Sequence, residues 1–272
     1  MRQSLPFAKF CNIKGSVFMT IGAQLFTVRD YAKNLDDFTE TLKKVADIGY
    51  TTVQVSGTCP FEAEWLRDRL RENGLSCVLT HTKPAEITGN TEKVCRDHNV
   101  FSCKNIGLGA MPGGKVDDEV YENFVRDFKP AAEIIQKNGH KLFYHNHAFE
   151  FTKSQDGKLF MDKILEAFPP DLLGITLDTY WLQFAGADVC DWMAKMAGRL
   201  ECIHLKDMTA TMKNGNRMAP VGHGNMNFEK IIAAAGAAGA EYLLVEQDDC
   251  YEENPFDCLK KSYDYLTSLG LK

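Results

Sequence analysis

Four times along the chain, an amphipathic segment ends in a glycine and a β-rich apolar run begins one or two residues later. These glycines are Gly49, Gly74, Gly139 and Gly239, and the runs start near residues 51, 75, 141 and 241. A glycine just after the last turn of a helix, followed promptly by a strand, is typical of the helix-to-strand turn in a parallel sheet. The pattern therefore predicts strands and helices that alternate along the chain.

Eight β-rich runs can be placed, with helical patterns between them. Asp36 to Ile48 has apolar residues near the helical period, and Asn227 suits the N-cap of an Ala-rich helix at 228–238. Glu119 to Lys137 contains Pro130, so we expect a kink or two helices there. The predicted strands are roughly 18–26, 51–56, 75–81, 104–109, 141–147, 173–178, 201–206 and 241–246.

Eight β-then-α units in 272 residues predict an α/β fold, a (β/α)8 TIM barrel in a single domain. We place the barrel at residues 18–272, after an N-terminal extension at residues 1–17. An open doubly wound sheet is the alternative, but no Gly-rich phosphate loop follows the first strand. The polar segment Met208 to Met226 is expected to be a long loop over the barrel mouth, where active sites lie.

Charge and composition argue against several classes of protein. Lys and Arg number 31 against 37 Asp and Glu, which gives a net charge of −6, and no basic run stands out. We therefore expect no nucleic-acid partner. No signal peptide or membrane span is recognisable, and nine scattered cysteines without Cys-x-x-Cys spacing favour reduced thiols. We expect a cytoplasmic protein with no membrane partner.

Four apolar runs each end in residue types that bind metals. The C-terminal ends of neighbouring parallel strands converge, so these side chains should meet and form a mononuclear metal site. Asp178 has an alternative role as the cap of the next helix, and His204 could instead be a packed core histidine. The residues that end the four runs are His145, His147 and Glu150, then Asp178, His204 and Glu246.

The fifth strand offers three candidates, of which one should complete the metal shell and another should contact substrate. His145 and His147 alternate and so point to the same side of the strand, and Glu150 lies three residues beyond. Spacing alone does not decide between them, but we favour Glu150 as ligand and His145 as base. Histidine suits the base because its ordinary pKa is near neutrality.

One imidazole and three carboxylates form an oxygen-rich shell that suits Mn²⁺, Mg²⁺ or Co²⁺. Such an ion polarises a carbonyl and stabilises the enediolate that forms when the α-proton leaves. The sequence therefore predicts an enzyme that enolises a small oxygen-rich substrate.

Four further residues are candidates for substrate contact. His81 closes the third strand and either binds a sugar hydroxyl or packs in the core. Lys206 follows His204 and either holds an oxyanion or forms a surface pair. Gln24 ends the first strand, and Trp181 either forms a flat wall for a sugar or aromatic group or packs at the barrel rim.

Several of these residues stand in motifs that resemble a known superfamily. Residues 144–151 have the sequence YHNHAFEF, residues 177–181 LDTYW, residues 204–207 HLKD and residues 221–224 VGHG. Together they resemble the sugar phosphate isomerase/epimerase superfamily, the barrels similar to xylose isomerase, over nearly the whole chain after residue 18. The resemblance implies Glu150, Asp178, His204 and Glu246 as ligands, and His145 as the acid–base residue.

The form of residues 144–151 looks most similar to the catalytic subunits of bacterial C-glycoside deglycosidases. Those enzymes act on 3-oxo-glucosides together with a small β-rich partner subunit. The resemblance thus implies a lyase, with Mn²⁺ the favoured ion, that removes the proton α to the carbonyl of a 3-oxo-sugar and eliminates the aglycone by C–C cleavage. Its small-molecule partner would be an oxidised sugar or glycoside.

Other activities on the same barrel are the alternatives. A ketose isomerase or epimerase, or an inosose dehydratase-like enzyme, would pass through the same enediolate. His145 stands where the epimerases carry Glu, which separates the sequence from that group. A metal-dependent nuclease is disfavoured by the acidic net charge, and a binding barrel without catalysis would be recognised by a lack of bound metal.

Overall fold

The structure, a computed structural model, describes residues 19–213 and 215–272. The predicted extension at residues 1–17 lies outside the described residues. Within them, eight parallel strands form a nearly closed barrel with flanking helices. This arrangement confirms the predicted single α/β barrel domain.

The chain alternates between strands and helices along its length. The strands are β1 (Thr20–Gln24), β2 (Thr52–Val55), β3 (Ser76–Thr80), β4 (Asn105–Leu108), β5 (Lys141–His145), β6 (Leu173–Asp178), β7 (Cys202–Leu205), β8 (Asp207–Thr211), β9 (Gly215–Ala219) and β10 (Tyr242–Val245). The α-helices are α1 (Leu35–Ile48), α2 (Ala63–Glu72), α3 (Pro84–Gly89), α4 (Thr91–Val100), α5 (Asp118–Lys137), α6 (Phe160–Ala167), α7 (Thr179–Phe184), α8 (Val189–Lys195), α9 (Phe228–Ala238) and α10 (Pro255–Ser268). Two 3₁₀ segments lie at Leu25–Tyr31 and Phe149–Phe151.

The barrel closes in the order β3-β2-β1-β10-β7-β6-β5-β4, and each neighbouring pair in that order is hydrogen-bonded in parallel. The remaining seam, between β3 and β4, is bridged by single contacts. Thr82 donates its backbone N–H to the Gly107 carbonyl at 2.8 Å, and the Asn105 side chain donates to the Val78 carbonyl at 2.9 Å. An open doubly wound sheet is therefore excluded.

The barrel interior is a small packed cluster, separate from the larger core between strands and helices. Its buried members are Val78, Leu79, Phe143, Cys202 and Leu244. Strand side chains alternate between the inside and the outside of a barrel, so residues two positions further along each strand reach the mouth. Phe143 is followed inside by His145, Cys202 by His204, and Leu244 by Glu246. These residues point inward and lie at the C-terminal ends of their strands, so the candidate ligands meet at one end of the barrel.

A glycine makes room for the largest interior side chain. A Cβ added to Gly174 of β6 would lie 2.3 Å from the ring of Phe143 on β5. Such a distance is far below van der Waals contact, so only glycine fits beside this ring. Phe143 is fully buried, and its ring helps fill the barrel beneath the mouth.

Two expectations about local structure are corrected. The segment Met208 to Met226 is not one long loop, because β8 and β9 pair in an antiparallel hairpin there. Both strands are short and mostly polar, so the sequence gives little sign of them. Gly215 has a positive φ of 67° where β9 begins, which glycine adopts without strain. Of the two outcomes expected at Pro130, the division into two helices is wrong, since α5 runs without interruption from Asp118 to Lys137.

Helix starts follow the predicted capping chemistry. Asn227 accepts a hydrogen bond from the Lys230 backbone N–H at 3.0 Å, which confirms it as the N-cap of α9. The eight cysteines of the described ranges are free thiols, and five of them are buried. In the same ranges, no helix combines the length and the apolar character needed to cross a lipid bilayer.

Candidate metal centre

Four buried side chains at the barrel mouth form a group that could hold a metal ion. Each offers one ligand atom, and these atoms all lie within 4.8 Å of one another. His145 Nε2 lies 3.1 Å from Asp178 Oδ2, and His204 Nδ1 lies 2.8 Å from Glu246 Oε2 and 3.8 Å from Asp178 Oδ2. The strand register brings them together, because Asp178 of β6 is paired directly with His204 of β7.

The donor set fits a divalent cation. Two imidazole nitrogens and two carboxylates are ligands that Mn²⁺, Co²⁺ or Zn²⁺ accept. His204 Nδ1 is buried and makes no well-oriented hydrogen bond within the described residues. Buried polar atoms of this kind usually have a partner. An ion beside Glu246 Oε2, which lies 2.8 Å away, would supply one.

Asp178 caps the next helix and also faces the candidate metal site. Its Oδ1 accepts the Trp181 backbone N–H at 3.0 Å and caps α7, while its Oδ2 faces the two imidazoles. The Asn146 side chain accepts the Asp178 backbone N–H at 3.0 Å. Burial would raise the pKa of the Asp178 carboxyl, but the nearby Lys206 ammonium and the contacts with His145 and His204 outweigh it and hold the pKa well below its usual range. Asp178 is therefore ionised and aimed into the site.

Lys206 is inside the barrel mouth and not in a surface pair. Its side chain is buried, and Nζ lies 3.1 Å from Asp178 Oδ2, 2.9 Å from Glu246 Oε2 and 2.9 Å from Asp248 Oδ1. Burial would lower the pKa of this ammonium, but the three carboxylates raise it overall. The three carboxylates are thus arranged around the Lys206 ammonium.

Glu150 lies outside the group of four, although it is fully buried. Its carboxylate accepts the Tyr144 hydroxyl at 2.5 Å and the His147 backbone N–H at 2.9 Å. Burial raises the pKa of Glu150 to about 7 against the lowering effect of these hydrogen bonds. On the fifth strand, the structure brings His145 rather than Glu150 to the other three side chains.

The orientation of His145 is defined by its second ring nitrogen. Nδ1 lies 2.8 Å from the Gly109 carbonyl oxygen. A carbonyl only accepts hydrogen bonds, so Nδ1 carries the proton and the neutral ring presents a lone pair at Nε2, toward Asp178. Burial and the nearby His204 lower the pKa of His145, while Asp178 opposes them. Nε2 is thus suited either to bind a metal or to accept a proton.

His147, His81 and Trp181 surround the group of four. The His147 ring lies 4.7 Å from the His145 ring and 5.3 Å from the Trp181 ring, and it stacks on Phe149. The His81 ring lies 5.4 Å from that of His145, and its Nδ1 is 3.0 Å from the Ser56 hydroxyl. The three side chains that were predicted to contact substrate therefore lie around the same mouth.

Gln24, the fourth predicted substrate contact, is engaged within the protein at both ends of its amide. Its Nε2 donates to Glu246 Oε1 at 2.8 Å, and its Oε1 accepts the Phe26 backbone N–H at 2.6 Å. It is fully buried. In this structure Gln24 supports a candidate ligand directly.

The family of this chain follows from a match over most of its length. The model of the xylose isomerase-like TIM barrel family matches residues 42–269. The chain belongs to this family. Its barrel, whose strand ends carry the group of four, is the scaffold that the motif resemblance implied.

Several curated relatives and solved structures that are similar to this chain are dehydratases, isomerases or epimerases by name. Inosose dehydratase from Geobacillus thermodenitrificans is 21% identical, with 84% of this chain and 88% of the relative covered. Inosose dehydratase from Mesomycoplasma hyopneumoniae is 23% identical, with 85% and 88% covered. A sugar phosphate isomerase/epimerase from Parabacteroides distasonis superposes with a TM-score of 0.74 at 21% identity, with 97% and 98% covered. A probable 3-DHS dehydratase from Bacillus anthracis superposes with a TM-score of 0.69 at 18% identity, with 92% and 99% covered.

Two residues at the mouth of this xylose isomerase-like barrel were missed in the sequence. Gln54 Oε1 lies 2.6 Å from His204 Nε2, and Asp248 contacts Lys206. Gln54 interrupts the apolar run of β2, and Asp248 follows Glu246 by two residues. A polar residue within a buried strand was the available signal for Gln54.

Asp207 organises the glycine turn at residues 221–224. Its carboxylate accepts backbone N–H groups from Gly222 at 3.0 Å, Gly224 at 2.9 Å and Met226 at 3.2 Å. A Cβ on Gly224 would lie 2.4 Å from Asp207 Oδ1. The glycine is required by this close approach, so the turn has a structural role beside the mouth.

Proposed function

We propose that the protein is a divalent-metal-dependent lyase that removes the proton next to the carbonyl of an oxidised sugar. The observation that carries the proposal is the buried group of four at the barrel mouth, whose polar atoms lie within 4.8 Å of one another. Three of its members are the proposed ligands, and the fourth, His145, is the proposed base. The names of the relatives, inosose dehydratases and sugar isomerases, support a sugar-like substrate. The motif resemblance supports an elimination.

Asp178, His204 and Glu246 are the proposed ligands, with Glu150 as the fourth. The hydrogen-bond partners that the structure shows for Glu150 are the neutral Tyr144 hydroxyl and the His147 backbone N–H. Burial raises the pKa of Glu150 to about 7, and a cation beside its carboxylate would offset that cost of burial. When bound, a divalent ion such as Mn²⁺, or Mg²⁺ or Co²⁺, supplies a Lewis acid for the substrate carbonyl.

His145 is the proposed base. The hydrogen bond from its Nδ1 to Gly109 leaves the Nε2 lone pair toward the site. Its lowered pKa keeps the imidazole neutral at neutral pH, so Nε2 is ready to take the proton α to the carbonyl. Lys206, held by three carboxylates, is the proposed donor to the developing oxyanion.

His81, His147 and Trp181 are the proposed substrate contacts. Each has a buried polar atom without a hydrogen-bond partner among the described residues, namely His81 Nε2, His147 Nδ1 and Trp181 Nε1. Buried polar groups are normally satisfied, so sugar hydroxyls are suitable partners for them. The Trp181 ring adds an apolar face of the kind that packs against a sugar ring.

The leaving group separates two versions of the reaction. In a 3-oxo-C-glucoside, C2 loses a proton to His145, a C1–C2 double bond forms, and the C1–aglycone bond breaks with its electrons going to the aglycone carbon, which takes up a proton. The motif of residues 144–151 favours this version. In an inosose, a hydroxyl on the β-carbon leaves as water after protonation, and the similarity to inosose dehydratases favours this second version.

Proton NMR in deuterated water separates these versions from each other and from isomerisation. The protein, loaded with Mn²⁺ and then exchanged into Mg²⁺ to limit line broadening, would be incubated with a 3-oxo-C-glucoside, an inosose and free ketoses. Release of aglycone supports the first version, and formation of a dehydrated diketone the second. Deuterium-labelled epimers of the ketose would favour an isomerase or epimerase. Absence of both α-proton exchange and bound metal would refute the enzyme proposal.

Two further expectations rest on the resemblance and composition alone. A small β-rich partner subunit is proposed from the motif, and co-expression with a neighbouring gene for such a protein, followed by size-exclusion chromatography, would test it. Cytoplasmic location remains a prediction, which fractionation of the source cells would check.

A further inference from the structure

Two glutamines on neighbouring strands contact two of the proposed ligands. Gln24 of β1 donates from Nε2 to Glu246 Oε1 at 2.8 Å. Gln54 of β2 places Oε1 2.6 Å from His204 Nε2. The two glutamines are paired with each other in the β1–β2 register, and both are fully buried. They form a glutamine pair beside the candidate metal centre.

The Gln54 contact determines which nitrogen of His204 faces the metal site. The amide oxygen only accepts, so His204 Nε2 must carry a proton and donate it. Nδ1 is then the nitrogen that lies 2.8 Å from Glu246 Oε2 and 3.8 Å from Asp178 Oδ2. A neutral His204 in this tautomer presents the Nδ1 lone pair to an ion. The contact crosses the barrel mouth, since β1 and β10 stand between β2 and β7.

The Gln24 contact selects one oxygen of Glu246. The Gln24 amide cannot turn over without losing the hydrogen bond from the Phe26 backbone N–H to its oxygen, at 2.6 Å. Its NH₂ group is therefore directed at Glu246 Oε1. The other oxygen, Oε2, is left toward His204 and Lys206.

We infer that Gln24 and Gln54 are positioning residues, which orient Glu246 through Oε2 and His204 through Nδ1 for a divalent cation. The inference rests on the proposed metal function. Groups that hydrogen-bond to metal ligands fix the tautomer and ring orientation, and their loss typically weakens metal binding by about 10- to 100-fold. Neither glutamine needs to contact the ion.

Calorimetric titration with Mn²⁺ would test the pair in the full-length protein. Gln54→Met keeps the length of the side chain but removes the acceptor, and we expect its Kd to rise by about 10- to 100-fold. Gln54→Glu restores an acceptor for His204 Nε2–H and should recover affinity to within a few-fold of the wild type. Gln24→Met should weaken binding in the same direction. Gln136→Met, at an exposed glutamine bonded to Asp171, is the matched control and should leave Kd unchanged.

A measurement on the unaltered protein covers the case in which a variant fails to fold. ¹⁵N-histidine NMR of the Zn²⁺-loaded wild type should show His204 metal-bound at Nδ1 and protonated at Nε2, with the signal assigned by its loss in His204→Gln. Binding through Nε2, or an unchanged Kd in Gln54→Met, would overturn the positioning role alone. A wild type that binds no divalent cation would instead overturn the proposed function and this inference with it.

Discussion

Replacing Asp178 by asparagine removes a single negative charge from the most connected carboxylate of the site. The change keeps the shape of the side chain, and the amide oxygen can still accept the Trp181 N–H that caps α7. It removes the charge that faces Lys206 at 3.1 Å and His145 at 3.1 Å. The variant therefore isolates the electrostatic role of Asp178 from its capping role.

The magnitude follows from the burial of the contacts. Removing one partner of a buried ion pair costs about 3 to 5 kcal/mol. Lys206 retains Glu246 and Asp248 at 2.9 Å each, so the low end applies, and we expect a loss of about 3 kcal/mol of unfolding free energy without metal. If the binding free energy of a cation falls by a similar amount, about 3 kcal/mol, its Kd would be roughly 100-fold higher.

Urea denaturation of the metal-free protein and Mn²⁺ titration would measure the two effects. Asp188→Asn is the matched control, because Asp188 caps α8 by the same contact to a backbone N–H but is exposed and has no part in the site. We expect less than about 0.5 kcal/mol from it. If Asp178→Asn were as stable as Asp188→Asn and bound Mn²⁺ as tightly as the wild type, the electrostatic reasoning would be refuted.

Three other predictions concern catalysis, pH and packing. His145→Ala should lower turnover by about 100-fold or more yet retain metal by elemental analysis, whereas Asp178→Ala should lose both; equal metal loss would contradict His145 as base. Burial lowers the pKa of His98 to about 4 from 6.5, so the unfolded chain binds more protons between these values and stability should fall as pH drops from 6.5 to 4. The urea midpoint of His98→Gln should depend less on pH than that of the wild type. An equal pH dependence in the two proteins would argue against this role of His98. Gly174→Ala should cost about 1 to 3 kcal/mol in urea denaturation, because its Cβ meets the Phe143 ring; an unchanged midpoint would show that the barrel interior can relax.

The sequence was sufficient for the barrel and for the end of it that holds the site. Glycines such as Gly49 and Gly239 after amphipathic segments, each followed by an apolar run, are local signals that depend on backbone conformation. The C-terminal ends of parallel strands meet at one face, so Asp178, His204 and Glu246 could be placed together from their position after apolar runs. The structure confirms that they meet.

Which side chains contact each other across the barrel could be decided only by the tertiary structure. His204 and Gln54 are 150 residues apart, and their contact depends on the curvature that brings β2 opposite β7. Residues 145, 147 and 150 are neighbours in sequence with similar chemistry, and the choice among them depends on where the chain turns after β5, which places Glu150 against Tyr144 and His145 against Asp178. Apolar periodicity records which face of a strand is buried, whereas the direction of each polar group depends on hydrogen bonds that form only when distant strands close on one another.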